Sequence, residues 1–349
     1  MNILFIGPYR QTDAWGNMSK SLIKTLSKIE NYSLTIRPIF LSGETSGPVD
    51  ADIIKCESNK KGQYDILIQH MLPNYMVYDS SFKQVIGITG FETLGCKTWD
   101  NSLDFLDKIF VTTEAERKGM SKELQSSIYS IGIANEQTIE PKEKTFDPFS
   151  FYCMGGNLES RGGVKQALLA YCSEFIVNDP VIFVLQANNP ENAGELIKQV
   201  YSELGMYGEN YYPRIHIVTD STGLHEECNS FVDCSSSLGF NPETVTALSA
   251  GSVPIVVSGS GRDEYIKSDS GFVVESFKDV VLCPDRPMKE IFTAREECFR
   301  PVISSIKQAM RECFSSKFAY LNKSKRAKQT SLEFTHDIRA SKIKEILCS

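Results

Sequence analysis

Four glycines and two cations fall within residues 155–165, a segment between an apolar run and a helix-like pattern. Glycine leaves backbone N–H groups open to a ligand, and the positive end of a helix dipole attracts anions. Two cations in the same loop would neutralise a diphosphate and the charge that develops on it as it departs. A solvated glycine-rich loop is the alternative. The predicted ligand-binding residues are Gly155, Gly156, Asn157, Arg161 and Lys165.

A second loop, residues 7–17, follows the apolar run at the N-terminus and precedes another helical pattern. Ligands of open α/β sheets bind outside the carboxyl ends of the strands, where this loop is expected. Gly16 would let a ligand approach the helix N-terminus, and Arg10 adds a fixed positive charge. Asp13 is a candidate general base and Trp15 a candidate substrate contact. The loop lacks G-x-G-x-x-G, which disfavours a dinucleotide site, and an ordinary long turn is the alternative.

The third segment, residues 233–257, reads as a strand, a small polar loop, a helix, a glycine stop and another strand. Its loop offers hydroxyls and backbone N–H groups. Glu243 falls in the first helical turn, where a carboxylate suits the helix dipole, so it is either a capping acid or a ligand-binding group. The predicted ligand-binding residues of the loop are Ser237, Leu238, Gly239 and Phe240.

Short apolar runs alternate with helical patterns along the chain, which predicts α/β architecture with doubly wound parallel sheets. The polar segment 134–147 is the predicted linker. We therefore expect an N-terminal domain at 1–140, a second domain at 141–314, and a basic helical tail at 315–349 that packs on the first domain. The predicted strands are 2–6, 34–40, 64–69, 84–89, 108–113, 127–133, 149–154, 181–186, 214–218, 230–234, 253–257 and 271–274.

Local patterns also place single elements and histidines. A helix is predicted at 19–29, because Leu22, Ile23 and Leu26 fall on one face. His216 lies inside an apolar strand and is predicted to be a core residue. Two further histidines, His225 and His336, carry no signal of a site.

Composition and charge exclude several classes of protein. The chain has 349 residues and a formal net charge of −7, with a pI near 5.4, so it has no global attraction to nucleic acid or anionic lipid. The lysine-rich tail could still form a local surface for a phosphate-rich partner. No apolar run approaches the about 18 residues of a membrane span, and the N-terminus lacks a signal-peptide pattern, so we expect no integral membrane segment.

The ten cysteines include neither a C-x-x-C pair nor a histidine neighbour at zinc spacing. Reduced thiols of a cytoplasmic protein are therefore expected rather than a disulfide framework. No acidic pair at a strand end offers a magnesium site. We expect neither a metal nor another cofactor.

The third segment resembles the nucleotide-sugar signature of GT-B glycosyltransferases of the retaining, metal-independent kind (group 1, family 4-like). In that family a glycine–phenylalanine pair precedes a helix that ends Ala-x-x-x-Gly-x-Pro-Val-Ile. Here Gly239-Phe240 precede Ala247-Leu248-Ser249-Ala250-Gly251-Ser252-Val253-Pro254-Ile255-Val256, with one extra residue before the proline. Arg161 matches the family's diphosphate arginine, Lys165 is displaced from its lysine, and Gly16 resembles the glycine that faces the donor.

Two shorter matches extend the resemblance over most of the chain. Phe91-Glu92-Thr93-Leu94-Gly95, followed by Trp99, resembles an acceptor-side loop of some members. Phe299-Arg300-Pro301, followed by a helix to Phe314, resembles a common C-terminal segment. One departure stands out, because the family's two glutamates, eight residues apart, are replaced by Leu238 and Thr246. Glu243 is the candidate substitute for one of them.

The resemblance implies two Rossmann-like domains that face each other across a cleft (GT-B). It implies transfer of a sugar from a nucleotide-diphosphate sugar, with a UDP-sugar favoured, to an acceptor hydroxyl, with the nucleotide sugar as co-substrate and no cofactor. Arg10, Asp13, His70 and Glu92 are expected on the acceptor side, and Asp13 or Glu92 would be the base of an inverting reaction. His70 follows a predicted strand and could contact the donor sugar or an acceptor hydroxyl, and a capped loop histidine is the alternative.

Two alternatives stay open. The acceptor is either a glycan or lipid-linked saccharide, or a hydroxymethylated pyrimidine in bacteriophage DNA. The missing glutamates also allow a non-catalytic nucleotide-sugar-binding protein of the same fold.

Overall fold

The computed structural model describes the chain except for residues 42–46, 61, 91–92, 95–98, 100, 136–138, 140–141, 157, 159–161, 207–211, 240 and 282–295. The described residues form two compact units. Unit 1 comprises the described residues of 1–135 together with Phe334–Ser349, and unit 2 comprises those between 139 and 333.

Strands and helices alternate through most of both units. The helices are α1 (Ala14–Leu26), α2 (Ala51–Ser58), α3 (Glu114–Gly119), α4 (Val164–Glu174), α5 (Pro190–Glu203), α6 (Leu224–Glu227), α7 (Pro242–Ser249), α8 (Ile303–Ser315), α9 (Lys317–Ser331) and α10 (His336–Cys348). The strands are β1 (Asn2–Gly7), β2 (Ser33–Pro38), β3 (Ile66–His70), β4 (Gln84–Ile88), β5 (Lys108–Val111), β6 (Ile128–Ser130), β7 (Phe149–Gly156), β8 (Val181–Ala187), β9 (Ile215–Val218), β10 (Ser230–Asp233), β11 (Ile255–Val257), β12 (Phe272–Val274), β13 (Ser276–Val280) and β14 (Glu297–Pro301).

Unit 1 is built on a parallel sheet with the strand order β2-β1-β3-β4-β5-β6. Successive side chains of a strand point to opposite faces. Phe5 of β1 accordingly packs in one core with Leu22 of α1, whereas Ile6 packs against a second core that contains Ile109. Burial on both faces explains why these strands read as nearly continuous apolar runs.

The last helix, α10, packs on α1 within unit 1. His336 Nδ1 lies 2.9 Å from Thr25 Oγ1, and Lys28 Nζ donates to Asp337 over 2.9 Å. Helix α9, which directly precedes it, belongs to unit 2, where the Tyr320 hydroxyl donates to the buried carbonyl of Asn229. The C-terminal 35 residues predicted as one tail thus form helices of two different units.

Unit 2 is built on a second parallel sheet, with the order β12-β11-β10-β7-β8-β9. Aromatic side chains fill the face beneath α4, where the rings of Phe151 and Phe175 lie 5.6 Å apart and those of Tyr171 and Phe183 5.1 Å apart. Strands β13 and β14 form a separate antiparallel pair. The strand order reverses between β7 and β10, which are neighbours in the sheet.

A close backbone approach at Gly163 joins the start of α4 to the end of β10. Gly163 has a φ of +71°, and a Cβ atom there would lie 2.0 Å from the carbonyl oxygen of Cys234. A side chain is therefore excluded both by the left-handed backbone and by the space. The neighbouring Gly162 has its nearest atom at 4.0 Å, so it has room for a methyl group.

The two parallel six-stranded sheets confirm the predicted α/β class with two Rossmann-like units. Helix α1 begins at Ala14 rather than at residue 19, because the Asp13 carboxylate caps it by accepting from the Gly16 N–H. The prediction that His216 is a core residue was wrong. It lies on β9, the edge strand of its sheet, where its side chain is exposed.

Helix α2 and the pair β13–β14 were not predicted. Only Ile53 of α2 is buried, so the segment lacks a helical apolar stripe. In β13, Phe277 and Val280 are exposed, so no face alternates cleanly between apolar and polar.

The described cysteines, which exclude Cys96 and Cys283, form no disulfide. In the part of the chain that the structure describes, no helix combines the length and the apolar character needed to cross a bilayer.

We expect Gly163→Ala to destabilise unit 2 by roughly 2 kcal/mol or more, because alanine must adopt a left-handed backbone and displace the Cys234 carbonyl. Gly162→Ala is the matched control and should change the unfolding free energy by less than about 1 kcal/mol. Urea unfolding followed by far-UV circular dichroism measures both. Equal costs for the two variants would contradict the close approach.

Candidate functional site

The candidate site of unit 2 lies at the carboxyl ends of β7 and β10. Ligands of doubly wound sheets bind where the strand order reverses, because the two following loops diverge there and leave a crevice. Strand β7 ends in Gly155-Gly156, and of the loop after it the structure describes Leu158, Gly162 and Gly163. Of the loop after β10 it describes residues 234–239 and 241.

The loop after β7 presents an open helix start. Gly156 has a φ of +49°, and no atom of the described residues lies within 4 Å of the place a Cβ would take. Its N–H points to the Gln186 side chain at 3.4 Å, and its carbonyl accepts from the Asn188 N–H over 3.0 Å. Among the described residues, no side chain caps α4 at Gly163. The first N–H groups of α4 can therefore be donors to an anion.

A buried ion pair holds the loop after β10. Arg262 Nε lies 2.7 Å from Asp233 Oδ2, and both side chains are 3% exposed. The guanidinium also donates to the carbonyl of Ser237 over 2.5 Å and to its hydroxyl over 3.1 Å. Asp233 Oδ2 also accepts hydrogen bonds from the Asn241 and Thr244 side chains, 2.8 and 2.9 Å long. These contacts fix the loop's backbone before any ligand arrives.

Glu243 belongs to a chain of three polar side chains. Its Oε2 lies 2.8 Å from His225 Nε2, and His225 Nδ1 lies 2.7 Å from the Tyr152 hydroxyl. His225 and Tyr152 are buried, whereas the Glu243 side chain is 39% exposed. Glu243 is therefore the member of the chain that a ligand can reach.

In unit 1 the strand order reverses between β1 and β3, and His70 ends β3 there. Its Nδ1 lies 2.6 Å from the Ser19 hydroxyl, and its ring stacks on Trp15 with the centroids 5.0 Å apart. Burial, with a smaller effect from the Arg339 guanidinium, lowers the pKa of His70 to about 3. His70 is thus a neutral imidazole at physiological pH and can act there as a hydrogen-bonding group.

Solved structures with the same two-sheet arrangement match this chain over its whole length. HepE of Anabaena in complex with UDP matches with a TM-score of 0.64 at 12% identity, and the match covers 100% of both chains. The chain has the GT-B fold. Sucrose-phosphate synthase from Thermosynechococcus elongatus matches with a TM-score of 0.63 at 12% identity, over 100% of this chain and 98% of that one. A glycosyltransferase from Rickettsia africae ESF-5 gives 0.61 at 13% identity, over 99% and 97%.

At these identities the likeness establishes the GT-B fold. No protein-family model and no curated sequence matches the chain.

The cations predicted for phosphate binding have partners within their own units. Lys165 Nζ donates to Glu203 Oε1 over 2.7 Å. Arg10 forms a two-pronged ion pair with Glu57, which also accepts from the Tyr9 hydroxyl. The Arg10 guanidinium accordingly holds the pKa of Glu57 below its usual range. Both cations would have to share or exchange these carboxylates to bind a phosphate.

The predicted contacts at α1 have structural functions in this GT-B unit. Asp13 Oδ1 accepts from the Gly16 N–H over 2.8 Å, and Oδ2 accepts from the Gln11 side chain over 3.2 Å. A Cβ at Gly16 would lie 2.1 Å from the Gln11 carbonyl oxygen, so only glycine fits. Asp13 is thus a helix cap whose two oxygens are both hydrogen-bonded.

The remaining predicted residues divide into two groups. Leu238 is fully buried, and the Thr246 hydroxyl donates to the carbonyl of Pro242 over 3.0 Å, so neither replaces the family's glutamates as a ligand-binding group. Gly239 is half-buried in the loop held by Arg262. The residues Glu92, Asn157, Arg161 and Phe240 lie outside the described residues.

Sequence reasoning missed Arg262, Tyr152 and His225. Arg262 has one usable signal, since Gly259-Ser260-Gly261 precedes it directly after β11. Tyr152 lies inside an apolar strand, and His225 lies in a polar stretch, so neither has a local pattern that indicates a site. Among the described residues, no group of three His, Cys, Asp or Glu side chains is arranged to hold a metal.

The buried ion pair predicts a large effect of Arg262→Met. The variant leaves the Asp233 carboxylate buried without its counter-charge, which costs about 3–5 kcal/mol of unfolding free energy. The double variant Asp233→Asn with Arg262→Met removes the stranded charge and should recover part of the loss. Urea unfolding followed by circular dichroism measures both. A double variant less stable than Arg262→Met would contradict this account.

The low pKa of His70 predicts a pH-dependent stability of unit 1. The unfolded imidazole binds a proton below its ordinary pKa of 6.5, whereas the folded one does so only near 3. The contribution of His70 to the free energy of unfolding is therefore complete above pH 6.5 and declines as the pH falls toward 3. The cost of His70→Gln should be smaller at pH 5 than at pH 7 by roughly 2 kcal/mol.

Tryptophan fluorescence during urea unfolding reports on unit 1, because both tryptophans, Trp15 and Trp99, belong to it. Asn74→Gln, an exposed substitution in unit 1 that changes no titratable group, is the control and should cost the same at both pH values. A His70→Gln cost that does not change with pH would refute the neutral, buried imidazole.

Proposed function

We propose that the chain is a glycosyltransferase that moves a sugar from a nucleotide-diphosphate sugar, with a UDP-sugar favoured, to an acceptor hydroxyl. The observation that carries the proposal is the open start of α4 beside the loop braced by Arg262 in unit 2. Among the described residues, no side chain caps α4 at Gly163, so the first N–H groups of α4 have no side-chain partner at the switch point of the sheet. That arrangement suits a diphosphate.

The comparisons support the choice of donor. HepE, which shares the fold, has been crystallised with UDP and also with UDP-glucose. No predicted donor residue of this chain requires a metal ion or a cofactor. The nucleotide sugar is the co-substrate.

In the proposed reaction, the bond between the anomeric carbon and the diphosphate breaks, and the electron pair stays on the diphosphate. Arg161 and Lys165 stabilise that charge, and Lys165 must then exchange Glu203 for the phosphate. The acceptor oxygen forms the new bond to the anomeric carbon. Its proton goes to Asp13 or Glu92 if configuration inverts, whereas in a retaining reaction it goes to the departing diphosphate, so no strong protein base is needed.

The proposed donor contacts are the side chains of Ser237 and Glu243 together with backbone groups near Gly16, Gly155, Gly156, Asn157, Leu238, Gly239 and Phe240. On the acceptor side we propose Arg10, Trp15 and His70 together with Asp13 and Glu92. His70 would serve as a neutral hydrogen-bonding group, in keeping with its pKa of about 3.

Two acceptor classes are considered, a glycan or lipid-linked saccharide and a hydroxymethylated pyrimidine in bacteriophage DNA. The formal net charge of −7 favours the saccharide, because it gives the chain no global attraction to DNA. Lys323 lies 4.5 Å from the centre of the Phe272 ring, Lys317 5.1 Å from that of Phe146, and Arg326 3.6 Å from Asp269. Each of these three basic side chains has a partner within unit 2, and Lys317 and Arg326 are also exposed to solvent. Transfer of label from UDP-glucose to duplex DNA containing hydroxymethylcytosine would favour the DNA acceptor.

A non-catalytic nucleotide-sugar-binding protein is the second candidate function. The burial of Leu238 and the internal hydrogen bond of Thr246 favour it, because two glutamates typical of the family have no counterpart at those positions. Slow release of glucose from UDP-glucose by the protein alone would support the transferase. Binding without any release or transfer would support the binding protein.

The proposed donor site predicts a specific stabilisation by UDP and UDP-glucose. A ligand present at 100 times its Kd raises the unfolding free energy by about 2.7 kcal/mol, which a thermal-shift panel of nucleotides and nucleotide sugars detects. Lys165→Gln should weaken UDP binding about 10-fold, because a charge-assisted contact is lost. Lys198→Gln, on the exposed side of α5, is the matched control. If no nucleotide or nucleotide sugar stabilises the protein, the proposed function is excluded.

A further inference from the structure

The two hydrogen bonds of the chain Tyr152–His225–Glu243 run in one direction when Glu243 is ionised and the imidazole of His225 is neutral. An ionised carboxylate only accepts, so His225 Nε2 must carry the proton that it donates to Glu243 Oε2 over 2.8 Å. In a neutral imidazole, Nδ1 is then an acceptor, and the Tyr152 hydroxyl donates to it over 2.7 Å. Burial raises the pKa of Tyr152, which keeps the phenol protonated and able to donate.

The backbone beneath His225 is also fixed. Lys144 Nζ donates to the carbonyls of His225 and Cys228 and to the Ser252 hydroxyl, the last over 2.6 Å. Ser252 Oγ in turn lies 3.0 Å from both of those carbonyl oxygens. His225 is thus held through its backbone by buried polar contacts and through its ring by Tyr152. Such support fixes the ring's tautomer and orientation.

Glu243 is the exposed end of this chain. It lies in the first turn of α7, directly after the loop that follows β10, and Asn241 caps that turn by accepting from the Glu243 N–H. The contact with His225 engages Oε2, and no described residue bonds Oε1. A carboxylate held on one oxygen by a fixed imidazole presents the other in a defined direction. Such an oxygen can accept from a hydroxyl of a bound ligand.

We infer that Tyr152 and His225 are positioning residues that orient Glu243 to accept a hydrogen bond from a donor hydroxyl. Glu243 thereby supplies the carboxylate that Leu238 and Thr246 lack. The inference rests on the proposed function, since it requires that a nucleotide sugar binds at the carboxyl ends of β7 and β10. A purely structural role of the chain, which would only tie α6 to α7, makes different predictions for variants.

Two substitutions of His225 separate the two roles. In His225→Gln the side-chain amide takes the place of Nε2 and still donates to Glu243, but the partner of Tyr152 is lost. In His225→Asn the shorter amide takes the place of Nδ1 and keeps the partner of Tyr152, but Glu243 loses its donor. If His225 positions Glu243, the variant that loses the hydrogen bond to Glu243 should bind the ligand more weakly. If His225 has only a structural role, the variant with the lower unfolding free energy should bind more weakly.

Isothermal titration with UDP and with UDP-glucose provides the test, alongside urea unfolding of each variant. Glu243→Gln should raise the Kd of UDP-glucose about 10-fold, and His225→Asn should do nearly the same. His225→Gln should stay within about 3-fold of the unmodified protein. In the Glu243→Gln background, His225→Asn should have no further effect on binding. Glu227→Gln, an exposed carboxylate on α6, is the control and should leave binding unchanged.

The outcomes distinguish this inference from the proposed function. If Glu243→Gln and His225→Asn lose equal affinity for UDP and UDP-glucose, the inference is supported and the hydroxyl belongs to the ribose. If they lose affinity for UDP-glucose alone, the inference is supported and the hydroxyl belongs to the sugar. If the unmodified protein binds both ligands and Glu243→Gln or His225→Asn binds them equally well, the inference is overturned and the proposed function stands. The inference is also overturned if His225→Gln and His225→Asn lose equal affinity and the loss follows their unfolding free energies. If the unmodified protein binds neither ligand, the proposed function itself fails.

Discussion

In a parallel sheet the carboxyl ends of all strands lie at the same edge, and this constraint governs both units of the molecule. The chain returns over one face or the other after each strand, so the loops at the carboxyl ends diverge wherever the direction of winding reverses. In unit 1 the reversal falls between β1 and β3, and in unit 2 between β7 and β10. The glycines, helix starts and polar side chains discussed above collect at these two places because of the winding.

Loops at such an edge need internal support, because a bound anion requires donors that are already in place. In unit 2 the support comes from buried polar groups that satisfy one another. Arg262 and Asp233 hold the loop after β10, and Lys144 with Ser252 holds the backbone that carries His225. Each of these groups would be costly to bury alone. Together they leave Glu243 and the start of α4 as the groups available to a ligand.

Burial and internal hydrogen bonding also explain why two positions differ from the glycosyltransferase signature that the sequence resembles. Leu238 is fully buried beneath the loop, so a glutamate at that position would place a charge in the core. Thr246 donates to its own helix at Pro242 and has no hydrogen-bond donor left for a ligand. The carboxylate that remains near the loop, Glu243, lies one turn before Thr246 on α7 and has a histidine partner.

The sequence by itself determined the class of fold and the places of most strands, because strands buried on both faces must be apolar at nearly every position. It also indicated the glycine-rich loops, since their composition is local. It could not determine where α1 begins, because the capping contact of Asp13 competes with the apolar pattern that starts later. The exposure of His216 depends on β9 being an edge strand, a property of strand order that no local pattern carries.

Only the tertiary structure decided which charged groups are neutralised and which are presented to a ligand. Arg10 pairs with Glu57, 47 residues away, and Lys165 pairs with Glu203, 38 residues away. Tyr152 meets His225 across 73 residues. The physical reason is the same in each case. Burial and ion pairing depend on which elements the sheet places side by side, and that order is set by the packing of whole strands and helices rather than by the residues next to each charge.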